Sequence, residues 1–236
     1  MNVLDEILPN NLWYIIGYIV ADGNLSKNGR NISIISKDIE HLFKIRSALK
    51  IDCKIVMSAS GYTREKKYGR IQFSNTNLYR YLESINIGPN KSLIQGPIIL
   101  DFKYIGDFIR GLIDGDGSIY NWKHSTNNTT QWAVTIASGS IKLIEWLQNI
   151  IVKHYGIEGR VHTAKSLNKT TMHSIKFGKI TGQVLLKRIY YKNCLCLDRK
   201  KKLAISCLLD SKKMVNYNSV ICSDGGTGIR ATLKMS

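Results

Sequence analysis

The sequence predicts an α+β fold in which one unit, helix–strand–strand–helix–strand–strand–helix, is used twice. Three observations lead there. Internal similarity comes first: Ile15-Ile16-Gly17-Tyr18-Ile19-Val20-Ala21-Asp22-Gly23 recurs without gaps, 94 positions downstream, as Ile109-Arg110-Gly111-Leu112-Ile113-Asp114-Gly115-Asp116-Gly117. Behind each copy stands a polar stretch, then a short run alternating apolar and polar residues. Behind each run, apolar residues recur at spacings of three and four, the period of an amphipathic helix.

In the first copy the apolar run ending at Asp22 reads as a helix, and Gly23 as the left-handed residue that stops it. Ile32-Ser33-Ile34 reads as a strand. Ile39, Leu42, Phe43, Ile45 and Leu49 share a helical face, with cap-type residues in Ser36-Lys37-Asp38 just ahead. Arg70-Ile71-Gln72-Phe73-Ser74 alternates as a strand, and a helix follows around Leu78 to Ile85. The second copy runs in parallel: Val134-Thr135-Ile136, the cap segment Ser138-Gly139-Ser140, then Ile141, Ile144, Leu147 and Ile151. Ser174 to Gly178 and a helix around Thr181 to Tyr190 complete it. Its first hairpin is 8 residues longer, with a Thr/Asn-rich tip at Ser125 to Thr130. The chain thus divides into a first half (1–90), a linker (91–103), a second half (104–210) and a tail (211–236). Ser223 to Gly228 in the tail lacks the Lys-Ser/Thr of a phosphate-binding loop.

Thirty-four Lys and Arg against 17 Asp and Glu give a net charge of +17 over 236 residues. Such an excess suits a polyanion, nucleic acid before an anionic membrane surface. No apolar run approaches the roughly 20 residues of a spanning helix, so no membrane role is expected. Met1 to Asn10 carries Asp5 and Glu6 and no Arg, unlike a secretory or transit peptide. The five cysteines form no C-x-x-C, which points to a reduced compartment and away from structural zinc. The histidines show no ligand spacing such as H-E-x-x-H, which disfavours a histidine-metal nuclease.

The repeated motif has a chemistry of its own. A helix C-terminus is partially negative, so an Asp in the last turn costs a few tenths to about 1 kcal/mol. Having it twice, at matching positions, calls for a compensating cation. Small residues recur four apart, Gly17 with Ala21 and Gly111 with Gly115, leaving one face of each helix nearly bare backbone. Packed there, the helices would deliver Asp22 and Asp116 to one point. Paired carboxylates holding Mg²⁺ beside a basic surface describe metal-assisted phosphodiester hydrolysis.

Both nonamers resemble the signature of the LAGLIDADG homing endonucleases in their single-chain, two-motif form, over roughly residues 10 to 205. The resemblance implies two pseudo-symmetric αββαββα halves, motif helices at their interface, and antiparallel sheets forming a saddle over the DNA major groove. It implies a monomer that cuts both strands of a long asymmetric double-stranded DNA site. Asp22 and Asp116 would bind metal, with the backbone carbonyls of Ala21 and Gly115 contributing. The cofactor would be Mg²⁺, with Mn²⁺ as a substitute and Ca²⁺ supporting binding but poor cutting. By position Ser36, Ser138, Lys91 and Lys192 would line the metals, although Ser as a helix cap and Lys as a solvated charge explain them equally well. The first copy departs from the signature at Val20, where the second has Asp114.

Strand alternation leaves one face of each sheet for DNA. Ser26, Asn28, Arg30, Asn31, Ser33, Arg70 and Gln72 are the outward candidates of the first half. Tyr120, Trp122, His124, Gln131, Thr135, Ser174 and Lys176 are those of the second. Their polar side chains suit base edges in the major groove. Arg64, Lys66 and Lys67 read as a phosphate-gripping loop. The Arg199-Lys200-Lys201-Lys202 run reads as a second grip or a solvated helix face. The two halves differ, so the target should be asymmetric. Two other functions use the same scaffold: an RNA maturase acting on group I intron RNA, and a non-catalytic DNA-binding protein. Retention of both acids favours the nuclease. The Ile, Asn and Lys bias suggests an AT-rich genome, compatible with an organelle (mitochondrion or chloroplast).

Overall fold

A computed structural model describes residues 6–58, 68–89, 91–165 and 171–210. The first half consists of α1 (Pro9–Asp22), β1 (Gly23–Leu25), β2 (Asn31–Ser36), α2 (Ile39–Ala48), β3 (Ile55–Ser58), β4 (Tyr68–Ser74) and α3 (Thr76–Ser84). The expected linker opens with a short helix, α4 (Lys91–Ile94), and ends in a 3-10 turn at Phe102–Tyr104. The second half repeats the order: α5 (Ile105–Gly115), β5 (Ser118–Lys123), β6 (Thr130–Ser138), α6 (Ile141–Tyr155), β7 (Arg160–Lys165), β8 (Thr171–Phe177) and α7 (Lys179–Ile189). It then continues into α8 (Asp198–Leu209). No helix among the described residues is long and apolar enough to cross a membrane.

Each half builds one four-stranded antiparallel sheet, in the orders β1-β2-β4-β3 and β5-β6-β8-β7. Register follows the two-residue period. Ile32 pairs with Phe73 and Ile34 with Ile71 on the buried face, while Ser33 pairs with Gln72 and Asn31 with Ser74 on the other. Val134 with Phe177 and Ile136 with Ile175 repeat this in the second sheet. Helices α2 and α3 cover the inner face of the first sheet, and α6 and α7 that of the second. Complete burial of a side chain such as Ile34 or Ile71 stabilises by roughly 1.5–3 kcal/mol each. A one-residue slip would turn the whole set to solvent, so the register is strongly held.

Between the halves lie α1 and α5. Leu12 to Val20 are all buried, as suits a helix apolar all round. The two helices meet backbone to backbone. A Cβ on Gly17 would press into the Phe108 carbonyl and stand 3.2 Å from the Gly111 Cα. One on Gly111 would press into the Tyr14 carbonyl and stand 2.7 Å from the Tyr18 nitrogen. One on Gly115 would press into the Ala21 side chain. The four-residue spacing of small residues is the footprint of this contact.

Gly23 does not adopt the expected left-handed conformation. Its φ is −87° and ψ 162°, which is extended backbone. The constraint is steric: a Cβ there would stand 2.7 Å from the Ile19 Cα and carbonyl oxygen, and on Gly117 2.6 Å from the Ile113 Cα and Thr135 oxygen. The chain turns straight from helix into strand, leaving no room for a side chain. A left-handed glycine cap does occur in the same molecule, at Gly156 after α6 with φ 63°.

Candidate active site

Asp22 is the last residue of α1 and Asp116 caps α5, so the helix contact brings both acids to the centre of the molecule. Asp22 is half-buried and Asp116 exposed, with their carboxyls within hydrogen-bonding reach. Burial, and then the charge of Asp116, hold the Asp22 carboxyl up at about 6 against the pull of Lys200 and Lys91. A carboxyl that resists ionising beside a second acid marks a place that favours a cation.

Two buried lysines flank them. Lys91, the first residue of α4, donates from Nζ to the Gly23 carbonyl at 2.6 Å. Lys200 of α8 donates to the carbonyls of Ile113 (2.5 Å), Asp114 (2.8 Å), Gly115 (3.1 Å) and Gly117 (2.8 Å). Gly23 and Gly117 are equivalent positions of the repeat, so each ammonium caps the carbonyl just past its own half's acid. Cations belong at such helix ends, where unpaired carbonyls concentrate negative potential. Burial lowers both lysines to about 8, opposed by the carboxylates around them. At pH 7 both therefore remain mostly charged.

A buried network docks the segment that carries Lys200. The Asp114 carboxylate accepts from the Tyr14 hydroxyl (2.8 Å), the Tyr190 hydroxyl (2.6 Å) and the Leu197 amide (2.7 Å). Arg110, fully buried, donates to Asp107 (2.6 Å) and to the carbonyls of Ile189 (2.6 Å) and Leu195 (2.8 Å). The departure from the signature at Val20 follows from this. Val20 is buried apolar surface, whereas its counterpart Asp114 receives the end of the second half.

With this geometry in place, the comparisons are decisive for the second half, whose residues 103–193 match the LAGLIDADG-like domain family. This half resembles a LAGLIDADG-like domain. No curated protein matches the chain in sequence. Solved structures do match in fold. The homing endonuclease I-WcaI bound to its DNA recognition sequence matches with a TM-score of 0.56 at 12% identity, covering 84% of this chain and 87% of that one. The LAGLIDADG homing endonuclease I-GzeII in complex with its DNA target matches at 0.55 and 14%, covering 88% and 93%. The N-terminal LAGLIDADG domain of DUF199/WhiA matches at 0.53 and 17%, covering 82% and 86%. At these identities the likeness establishes the LAGLIDADG fold across both halves of the described residues.

The LAGLIDADG-like half corrects one expected site residue. Lys192 is exposed just after α7, and Lys200 takes the place opposite Lys91. The signal was in the Arg199-Lys200-Lys201-Lys202 run, which the structure splits. Arg199 pairs with Asp38 at 3.1 Å, Lys200 is buried, Lys201 reaches the Tyr191 carbonyl at 3.4 Å, and Lys202 is exposed. Ser36 and Ser138 act as anchors for the helices that follow. Their hydroxyls accept from the amides of Asp38 and Ser140, each at 3.1 Å, and Ser36 also accepts from the Tyr18 hydroxyl at 3.1 Å.

The DNA candidates lie on the outward sheet faces. Arg70 and Gln72 are exposed, and Ser33 and Asn31 are half-buried. Ser26 and Arg30 flank the first hairpin turn, which Asn28 closes by accepting from the Arg30 and Asn31 amides. Tyr120, Trp122 and His124 are exposed, with Gln131, Thr135, Ser174 and Lys176 half-buried beside them. Arg64, Lys66, Lys67 and the tail lie outside the described residues.

The donor set fits a hard divalent cation. Asp22 and Asp116 supply carboxylate oxygens, and the carbonyls of Ala21 and Gly115 lie next to them in the chain. Among the described residues no group of three or more His, Cys, Asp or Glu side chains could hold a metal. Mg²⁺ needs no more than one or two carboxylates when phosphate and water complete its shell.

Proposed function

We propose that this protein is a sequence-specific endonuclease that hydrolyses both strands of a long, asymmetric double-stranded DNA site with Mg²⁺. One observation carries the reading. The helix contact brings one acid from each half together, between two buried ammoniums and at the junction of two outward polar sheet faces. The fold alone does not assign cleavage, since it also occurs in DUF199/WhiA; the paired acids and lysines support it. In this reading Asp22 and Asp116 hold the metal at the molecular centre. Lys91 and Lys200 present positive charge toward the scissile phosphates of the two strands. The outward faces hold the duplex in register. A divalent ion bound there would polarise a phosphate oxygen and acidify an attacking water.

The test is cleavage of a randomised double-stranded DNA library with Mg²⁺, followed by sequencing of the cut ends. Wild-type protein should cut both strands at one site class. Asp22→Asn and Asp116→Asn should lose cutting while binding the selected site within a few-fold. Full cutting by both variants, or none by wild type with Mg²⁺ or Mn²⁺, overturns the assignment.

A further inference from the structure

The two outward faces carry different chemistry at equivalent positions. Asn24 and Ser118 each stand two residues beyond their half's acid. In the first sheet that row continues across the strands through Ser33 to Gln72. In the second it continues through Thr135 to Lys176 and Arg160. Gln72 and Lys176 therefore occupy the same place in the two sheets, each directly before the buried Phe73 or Phe177.

Their hydrogen-bonding capacities are opposite. A glutamine amide offers one donor and one acceptor side by side, matching adenine N6 and N7 in the major groove. A lysine offers donors only, matching the paired acceptors O6 and N7 of guanine. Lys176 is also held in place. Its Nζ lies 5.6 Å from the Tyr120 ring centroid and 5.2 Å from that of Trp122, and the two rings are 5.7 Å apart. Ala133, on the outward face yet fully buried, fits beneath them. The neighbouring hydroxyls of Ser118 and Thr135 engage each other at 2.5 Å, and the cations Lys176 and Arg160 are the longest side chains of this row. A long side chain fixed over two rings loses less freedom on binding than a mobile one.

We infer that Gln72 and Lys176 are the matching specificity determinants of the two half-sites, Gln72 selecting adenine and Lys176 guanine at base pairs related by the pseudo-twofold. Tyr120 and Trp122 are positioning residues for Lys176. The inference rests on the proposed DNA-reading function and adds which base each half requires.

Full-length protein is incubated with a randomised double-stranded DNA library in Ca²⁺, and the bound DNA is sequenced. The enriched site should carry guanine in one half and adenine at the symmetry-related pair in the other, each preferred by roughly 10-fold or more, the scale of a bidentate contact. Lys176→Gln should convert the guanine position to adenine with an unchanged melting temperature, since it sits on the outer face. Trp122→Leu should lower the guanine-to-adenine binding ratio at that position. A specific site with the same base at both positions, or one that Lys176→Gln leaves unchanged, overturns the inference and leaves the DNA-binding reading standing. A library with no enrichment at all overturns that reading, and the inference with it.

Discussion

Lys200 concentrates more of the site than any other side chain described. Its ammonium answers four carbonyls at the end of α5, where helix geometry leaves oxygens without partners. Lys200→Met keeps the length and apolar stem but strands those oxygens. Stability should fall by about 2 kcal/mol, and cleavage should fall much further, while Lys192→Ala cuts normally. Parallel melting curves and cleavage time courses check both. His41 gives a second prediction at this scale. The Tyr14 hydroxyl has one proton, which goes to Asp114, so His41 Nε2 donates to its oxygen at 2.8 Å. Nδ1 is left buried as an unprotonated atom with no partner among the described residues. Burial, then the charge of Lys44, lowers His41 to about 4, below the roughly 6.5 of an unfolded chain. The stability of the neutral ring is thus fully present above pH 6.5 and is lost as pH falls toward 4, about 3 kcal/mol in all. In urea titrations at pH 7 and pH 4, His41→Gln should show a correspondingly smaller acid loss. Identical losses in the two proteins would contradict this account.

The paired helices α1 and α5 are the element on which the site depends. Ordinary overpacking costs about 1–3 kcal/mol, because side chains can give way. At Gly17 and Gly111 the obstacle is backbone of the opposite helix, which cannot move without carrying an acid along. Gly17→Leu and Gly111→Leu should therefore exceed that range, and even Gly17→Ala should lose more cleavage than melting temperature. Normal cutting by purified Gly17→Ala would show that the contact has slack. Small residues four apart, twice, with acids beyond them, made this element legible in the sequence. Helix α8 was less legible. Its basic run resembles a solvated surface, and only packing decides that one of its three lysines turns inward.

At the scale of the whole molecule, charge and symmetry set the partner. The chain carries +17. If about 8 phosphates are neutralised, log affinity should fall against log salt with a slope near −7. A slope near zero in a binding titration over a salt series would separate the basic surface from the binding face. The sequence by itself determined the repeat, the order of elements within each half, the strand faces and the place of one acid at the end of each motif helix. All of these are written in local periodicity and in a motif that recurs without gaps. Only the tertiary structure decided that Gly23 and Gly117 are required for space rather than for a left-handed turn, that Lys200 and not Lys192 stands opposite Lys91, and that Asp114 anchors α8. The glycines are decided by how sharply the chain turns from helix into strand, against Ile19 at Gly23 and against Ile113 and the Thr135 carbonyl at Gly117; the other two depend on which distant segment arrives beside a residue. Residues 83 to 87 positions apart along the chain meet at Lys200, a separation at which no local pattern carries information about contact.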